Sequence, residues 1–283
     1  MKTTLLSILI LFSFATARAA VQYEKEDSIY VMKLFAEAKR QPDGTNHMVF
    51  FARRMLGLPY VAHTLEVNDT EHLIINLRQL DCTTYVENVL ALTLCMKENK
   101  TTFKDFCDKI ALIRYAKGKQ PHYTDRLHYF TSWIEHNTRK GLCHEIQSPA
   151  PPFTAVQTLD INYMTSHVSS YRMLHLNPSY IAKIRNTEKE LTGKRYRYIP
   201  KSEVKNTRLL RRTIHDGDII ATTTSIKGLD TQHIGIAVWH SDGLHMLNAS
   251  SIRHKVVEEP LTLYQYLQRR KTMPGIRVVR VEK

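Results

Sequence analysis

The 283-residue chain is poor in acid: 27 Asp and Glu stand against 40 Lys and Arg, for a formal charge of +13. Such a protein seeks an anionic partner, whether nucleic acid, a membrane surface or cell wall. Glycine signatures for phosphate are missing, since neither GxxxxGK nor GxGxxG occurs, and nucleotide binding has no support. HExxH and paired CxxC motifs are missing too, despite 14 histidines. A zinc site therefore has no sequence basis, and neither metal nor cofactor is expected. Cysteine is scarce, with four residues, too few to describe a disulfide scaffold. Beyond the first 20 residues no apolar run approaches the length of a membrane span. Internal repeats and low-complexity segments are also absent.

The start of the chain carries the marks of a secretory leader. Lys2 supplies a positive head, Leu5 to Ala15 an apolar stretch, and Ala17-Arg18-Ala19 a small-x-small cleavage site. Residues 1–19 are expected to be removed after Ala19, giving a periplasmic or secreted protein. Removing Lys2 and Arg18 lowers the formal charge from +13 to +11. In an oxidising compartment two disulfides are conceivable. Cys82 and Cys95 cannot pair if both lie on one helix, because 13 residues span roughly 20 Å. Cys107 and Cys143 are open to pairing or to reduced burial.

Helical periodicity covers residues 24–41, 45–57, 81–98, 102–114, 126–137 and 160–185, with a break at Gln147 to Pro152. From Gly217 the period changes to two. Residues 218–221, 233–240, 244–250, 255–258 and 276–281 have strand patterns, and Asp242-Gly243 joins two of them as a hairpin. Helices first and an antiparallel sheet afterwards predict an α+β fold. Residues 20–283 are expected to form one domain, with a helical and basic insertion around 100–212. Within it, residues 183–212 hold 11 Lys and Arg against three Glu, with Tyr196 and Tyr198 interleaved. This stretch is taken as a solvated surface insertion, with a lid over an acidic substrate as the alternative. Single-stranded nucleic acid also binds basic, aromatic surfaces, but a leader and a reactive cysteine argue against it.

Cys82 follows Asp81 at the start of the 81–98 helix, so the thiol sits where helix N–H groups are free. The helix dipole there stabilises a thiolate, and the same N–H groups can hold an oxyanion. About 150 residues later His233 opens a strand. Gly235 and Ala237 share its face and are small enough to let a helix pack closely. Across the hairpin, Asn248 is polar in an apolar strand and can orient the imidazole through its amide oxygen. A thiol at a helix start with a distant histidine is the pattern of a cysteine nucleophile and its base.

With those residues in place, the segments LRQLDCTTYVENVLAL (77–92), GDIIATTTSIKGLDTQHIGIAV (217–238) and LHMLNASS (244–251) resemble the NlpC/P60 superfamily of papain-like cell-wall hydrolases. More specifically they resemble its DUF1460 branch of N-acetylmuramoyl-L-alanine amidases. The resemblance runs from about Tyr60 to the end and includes Leu127 to Phe130 and Tyr198 to Lys201. It implies a papain-like fold, with Cys82 as nucleophile, His233 as base and then acid, and Asn248 as orienter, where many relatives carry histidine. The implied partners are muropeptides, above all small anhydromuropeptides, and the implied bond joins the muramic-acid lactyl group to L-alanine. Tyr60, Thr64, Glu66, Arg126, Tyr129, Thr165 and His167 are the implied substrate-binding residues. A monomer is expected. The alternatives are a γ-D-glutamyl-diaminopimelate endopeptidase of the same fold, a zinc amidase, or a catalytically inert wall-binding module.

Overall fold

The computed structural model describes residues 21–118 and 121–282. The leader and its cleavage point lie outside these residues. Five helices come first: α1 (Lys25–Ala38), α2 (His47–Arg54), α3 (Cys82–Lys97), α4 (Phe103–Arg114) and α5 (Phe130–Arg139). Strands β1 (Cys143–Ile146) and β2 (Ala155–Thr158) follow. Helices α6 (Tyr163–Ser166), α7 (Arg172–Leu176) and α8 (Ser179–Leu191), strand β3 (Arg195–Pro200) and helix α9 (Arg208–Thr213) come next. The chain closes with β4 (Ile219–Thr223), β5 (Thr231–Trp239), β6 (Leu244–Ser250), β7 (Lys255–Glu258), α10 (Leu263–Gln268) and β8 (Gly275–Val281). All sheet pairings are antiparallel, in the order β2-β3-β8-β4-β5-β6-β7, with β1 also on β8.

Strand alternation divides the core. Ile219, Ala221, Ile234, Ile236, Val238, Leu247, Ala249, Val256 and Val279 face helices α1 to α5. Their neighbours Ile220, Ala237, Leu244, Met246, Ile276 and Val278 face α9 and α10. The helix α3 is buried on nearly all sides, with Tyr85, Val86, Val89, Leu90, Ala91 and Leu92 fully enclosed. Its start is fixed by Asp81, whose Oδ1 accepts from Thr84 N–H at 2.7 Å while Thr84 Oγ1 accepts from Asp81 N–H at 3.0 Å. This reciprocal cap sets where the helix begins, and therefore where Cys82 sits.

Two expectations are corrected here. The sheet does not begin at Gly217, because β1, β2 and β3 lie in the stretch read as helical and basic. The sequence Arg195-Tyr196-Arg197-Tyr198 looks like a charged surface, yet it alternates as a strand does. Tyr196 lies under the Arg277 guanidinium at 4.0 Å from its ring centre, and Tyr198 packs against Gly275, where a Cβ would come within 2.6 Å of its ring. The predicted 160–185 helix is instead α6, α7 and the first part of α8, since the Asn177-Pro178 step prevents continuation. All four cysteines are free thiols, so Cys107 and Cys143 are reduced and buried.

Two buried arginines in the core are paired with glutamates. Arg277, fully buried on β8, holds Glu145 at 2.6 and 2.8 Å and the Thr131 hydroxyl at 2.7 Å. Arg114 on α4 holds Glu87 on α3 at 2.7 Å and the Ile74 carbonyl at 2.7 Å. Removing one member of such a pair strands the other charge in the core. Arg114→Met is expected to lower unfolding free energy by about 3–5 kcal/mol. The double variant with Glu87→Gln should recover part of that loss, and urea unfolding of both proteins checks it.

Candidate active site

Cys82 and His233 line one cavity of about 150 Å³, at the meeting point of the α3 start and the β5 start. Thr83, His128, Tyr129, Met164, Tyr171 and Asp230 are among its other walls. The packing that brings the two together differs from the sequence reading. Helix α3 covers the Ile234–Ile236–Val238 face of β5, not the face of Gly235 and Ala237. Gly235 is small for another reason: a Cβ there would lie 2.5 Å from Met246 Cγ on β6.

A bulge between Thr222 and Thr223 sits opposite the stretch before His233. Thr222 Oγ1 accepts from His233 N–H at 3.0 Å and donates to His233 C=O at 3.1 Å, which fixes that backbone. His233 Nε2 lies 3.0 Å from Asn248 Oδ1. The Asn248 amide cannot be turned round, because its Nδ2 donates to the Met246 carbonyl at 3.2 Å. The oxygen therefore faces the ring, Nε2 carries the proton, and Nδ1 keeps its lone pair free. Asn248 is 1% exposed, so water does not compete for this bond.

The thiol is not in the state that its helix position suggests. Burial, with the Asp81 carboxylate second, pushes Cys82 up to about 12, against the pull of the Ile234 N–H, the Thr83 hydroxyl and its own N–H. Desolvation outweighs the helix dipole here because the thiol sits in a protein-lined cleft while the dipole offers only partial charge. His233 is held below the usual imidazole range, first by burial and next by the Arg270 charge, with Asn248 pulling the other way. The resting pair is thus neutral thiol beside neutral imidazole.

The residues implied as substrate contacts divide into groups. Tyr60 is half-buried near the thiol, and burial, with the Asp81 carboxylate acting the same way, raises its phenol to about 12. Tyr129 lines the cavity, but its hydroxyl donates to Glu188 at 2.7 Å and accepts from Met164 N–H at 3.0 Å. Thr165 bonds the same Glu188 through its hydroxyl and its N–H. Arg126 and Glu66 are both engaged with each other, Arg126 also lying 3.5 Å from Glu71 and over the Tyr123 ring. Thr64 lines a separate cavity of about 250 Å³ with Gln22, Glu24 and Arg78. His167 is exposed and stacks on Tyr163. Only Tyr60 and Tyr129 of the seven lie at the Cys82 site.

Several site residues were missed by sequence reasoning. Asp230, 2% exposed, caps α5 by accepting from Thr131 N–H at 2.6 Å. It and Gln232 stand beside His233 in the chain, a signal that was available. Tyr171 and Met164 come from the broken α6–α7 region and gave none. Among the described residues no group of three or more His, Cys, Asp or Glu is placed to hold a metal. No helix among them is long and apolar enough to cross a membrane.

Comparison with known proteins follows the same line. A family model described as AmiA-like, N-acetylmuramoyl-L-alanine amidase-like, matches residues 50–276. An N-acetylmuramoyl-L-alanine amidase structure from Bacteroides uniformis superposes with a TM-score of 0.77 at 39% identity, covering 84% of this chain and 98% of that one. A suspected xylanase from Bacteroides fragilis superposes with a TM-score of 0.75 at 40% identity, covering 81% and 99%. A Legionella pneumophila protein of the DUF1460 family shares the fold at 21% identity and a TM-score of 0.70, covering 91% and 95%. No curated protein matches.

The neutral pair sets the pH response. An enzyme that needs His233 as base should lose kcat/KM as pH falls through the histidine's pKa, below the usual 6.5. The thiol, raised to about 12, should give no alkaline limb at ordinary assay pH. A pH profile of kcat/KM that is flat to about pH 9 is expected; a bell with an alkaline limb below that would show a resting ion pair instead. Iodoacetamide should label Cys82 before the buried Cys95, Cys107 and Cys143, read by mass spectrometry.

Proposed function

Since the chain belongs to the N-acetylmuramoyl-L-alanine amidase-like family, we propose that it cuts the amide between the muramic-acid lactyl carbonyl and L-alanine in small anhydromuropeptides, with Cys82 as nucleophile. The observation that carries this is the shared cavity of Cys82 and His233, with the imidazole oriented by Asn248. The proposal includes the NlpC/P60, papain-like assignment, a leader cut after Ala19, and action as a monomer in the periplasm or outside the cell.

As Sγ attacks the lactyl carbonyl, His233 Nδ1 takes the thiol proton, so the thiolate forms only with the new bond. Free N–H groups at the α3 start hold the tetrahedral oxyanion. The imidazolium keeps its Nε2–H on Asn248 and returns the Nδ1 proton to the departing alanine nitrogen. This leaves a lactyl thioester and a free peptide. Water, deprotonated by the same Nδ1, then opens the thioester and restores the thiol.

The name of the Bacteroides fragilis relative raises a glycosidase as the second reading. Glycoside hydrolysis normally uses two carboxylates flanking the bond. Asp230 is the one carboxylate among the residues lining this cavity, and it is spent on the Thr131 N–H. That weakens the reading. A γ-D-glutamyl endopeptidase of the same fold would release different products, which makes mass spectrometry decisive.

Digestion of a defined anhydromuropeptide should yield the free sugar acid and a peptide beginning with L-alanine. Products with L-alanyl-D-glutamate still on the sugar would replace the amidase by the endopeptidase, and split sugars would replace both by the glycosidase. Cys82→Ala should abolish turnover with unfolding unchanged. Activity should also survive EDTA, whereas a loss restored by zinc would overturn the thiol mechanism. A neutral amide steadies the imidazolium less than a carboxylate does, and loss of a third member costs about 10⁴ in serine proteases. Asn248→Ala is accordingly expected to slow single turnover by roughly 10- to 10³-fold.

A further inference from the structure

We infer that Arg270 is a specificity-determining residue that receives a carboxylate on the peptide leaving the Cys82 site. This rests on the amidase reading above.

Arg270 stands in the turn after α10, and that turn is tied to the site. Thr272 Oγ1 donates to Gln232 Oε1 at 2.8 Å, and Ser225 N–H donates to the Thr272 carbonyl at 2.9 Å. Gln232 is the residue before His233 and lines the cavity. The Arg270 backbone is held at both ends, its N–H on Leu267 C=O at 3.0 Å and its carbonyl by Lys201 Nζ at 3.2 Å. Its guanidinium lies over the Tyr266 ring, 4.8 Å from the centre. Tyr266 is buried, and its hydroxyl is held by the Arg270 guanidinium.

The guanidinium has no ion-pair partner among the described residues. Glu259, the acid that also acts on His233, is occupied by Arg253 at 2.8 Å. An unpaired cation beside a general base is unfavourable to catalysis, because it lowers the basicity of His233. A substrate anion would neutralise it on binding.

Direction follows from the chemistry. The leaving nitrogen takes its proton from His233, so the leaving peptide must lie against His233. Arg270 lies outside the cavity lining, but its turn is tied to Gln232 and its charge acts on His233, which puts it on that side. The wall of Tyr129, Met164 and Tyr171, in the same cavity, remains for the acyl side. In an anhydromuropeptide the sugar and lactyl amide are neutral, and the carboxylates are on the peptide. A guanidinium fork braced on an aromatic ring fits a carboxylate better than an ammonium does.

The test uses 1,6-anhydro-N-acetylmuramyl-L-alanyl-D-glutamate and its diamide, with both carboxyls converted to carboxamides. Wild type should prefer the acid by about 10- to 100-fold in kcat/KM, mainly through KM, the range expected for a charged hydrogen bond. Arg270→Gln should lose the preference, and Arg270→Lys should keep part of it. In Arg270→Gln the pH limb of Cys82 alkylation should also move up, since a charge that depresses His233 is gone. Equal wild-type rates on the two compounds, or a wild-type ratio in Arg270→Gln, would overturn the inference. If wild type cuts neither compound, the amidase reading fails on its own. The inference is then decided with Cys82→Ala, by whether it binds the acid more tightly than the diamide and loses that difference on adding Arg270→Gln.

Discussion

The seating of the α3 N-terminus against the start of β5 is the constraint on which the rest depends. Cys82 and His233 are about 150 residues apart, and nothing local brings them together. The work is done by Val86, Val89 and Leu90 on one element and Ile234, Ile236 and Ala249 on the sheet, all enclosed in one core. The Asp81–Thr84 cap then decides which residue of the helix is first. A shift of one position would carry the thiol about 100° round the helix axis and out of the cavity. Packing supplies the distance, and the cap supplies the register.

The second organising feature is desolvation. The same burial that fixes the thiol also makes its charged form costly, and the helix dipole does not repay that cost. His233 is pushed the opposite way by the same cause. Burial thus drives the pair away from a resting thiolate and imidazolium. Charge separates only when a substrate carbonyl is there to take the sulfur electrons. Such a site holds no standing thiolate, the form through which alkylation and oxidation proceed.

Much of this was legible in the sequence where pattern and chemistry coincide. The helix at 82–97 was visible because Asp81 caps an apolar run. The β5–β6 hairpin was visible because Asp242-Gly243 separates two alternating strands. Asn248 stood out as an amide in an apolar strand, and it meets the His233 ring. Strands β1 to β3 were hidden because their partners are distant and their side chains charged. Arg195, Arg197 and Tyr196 belong to a strand only once Arg277 and Gly275 stand beside them. Thr64, Glu66 and Arg126 looked like ligand contacts because polar residues in a motif invite that reading. Glu66 and Arg126 are taken up by each other, a matter of three-dimensional pairing that spacing cannot disclose. Arg270 was silent for the same reason, since its meaning comes from what stands beside it.

The position of β8 bears on how the molecule comes into being. Among the strands it is last in the chain, yet it lies inside the sheet, between β4 on one side and β1 and β3 on the other. A chain delivered from its N-terminus, by a ribosome or through a translocation pore, therefore cannot complete its sheet part-way. Until Gly275–Val281 emerges, β4 has an open edge, β1 and β3 have no partner on that side, and Glu145 waits for Arg277. Closure over so long a separation is slow, because the loop entropy is lost before the contacts form. The order of elements thus leaves the sheet open in its middle until its last strand is delivered.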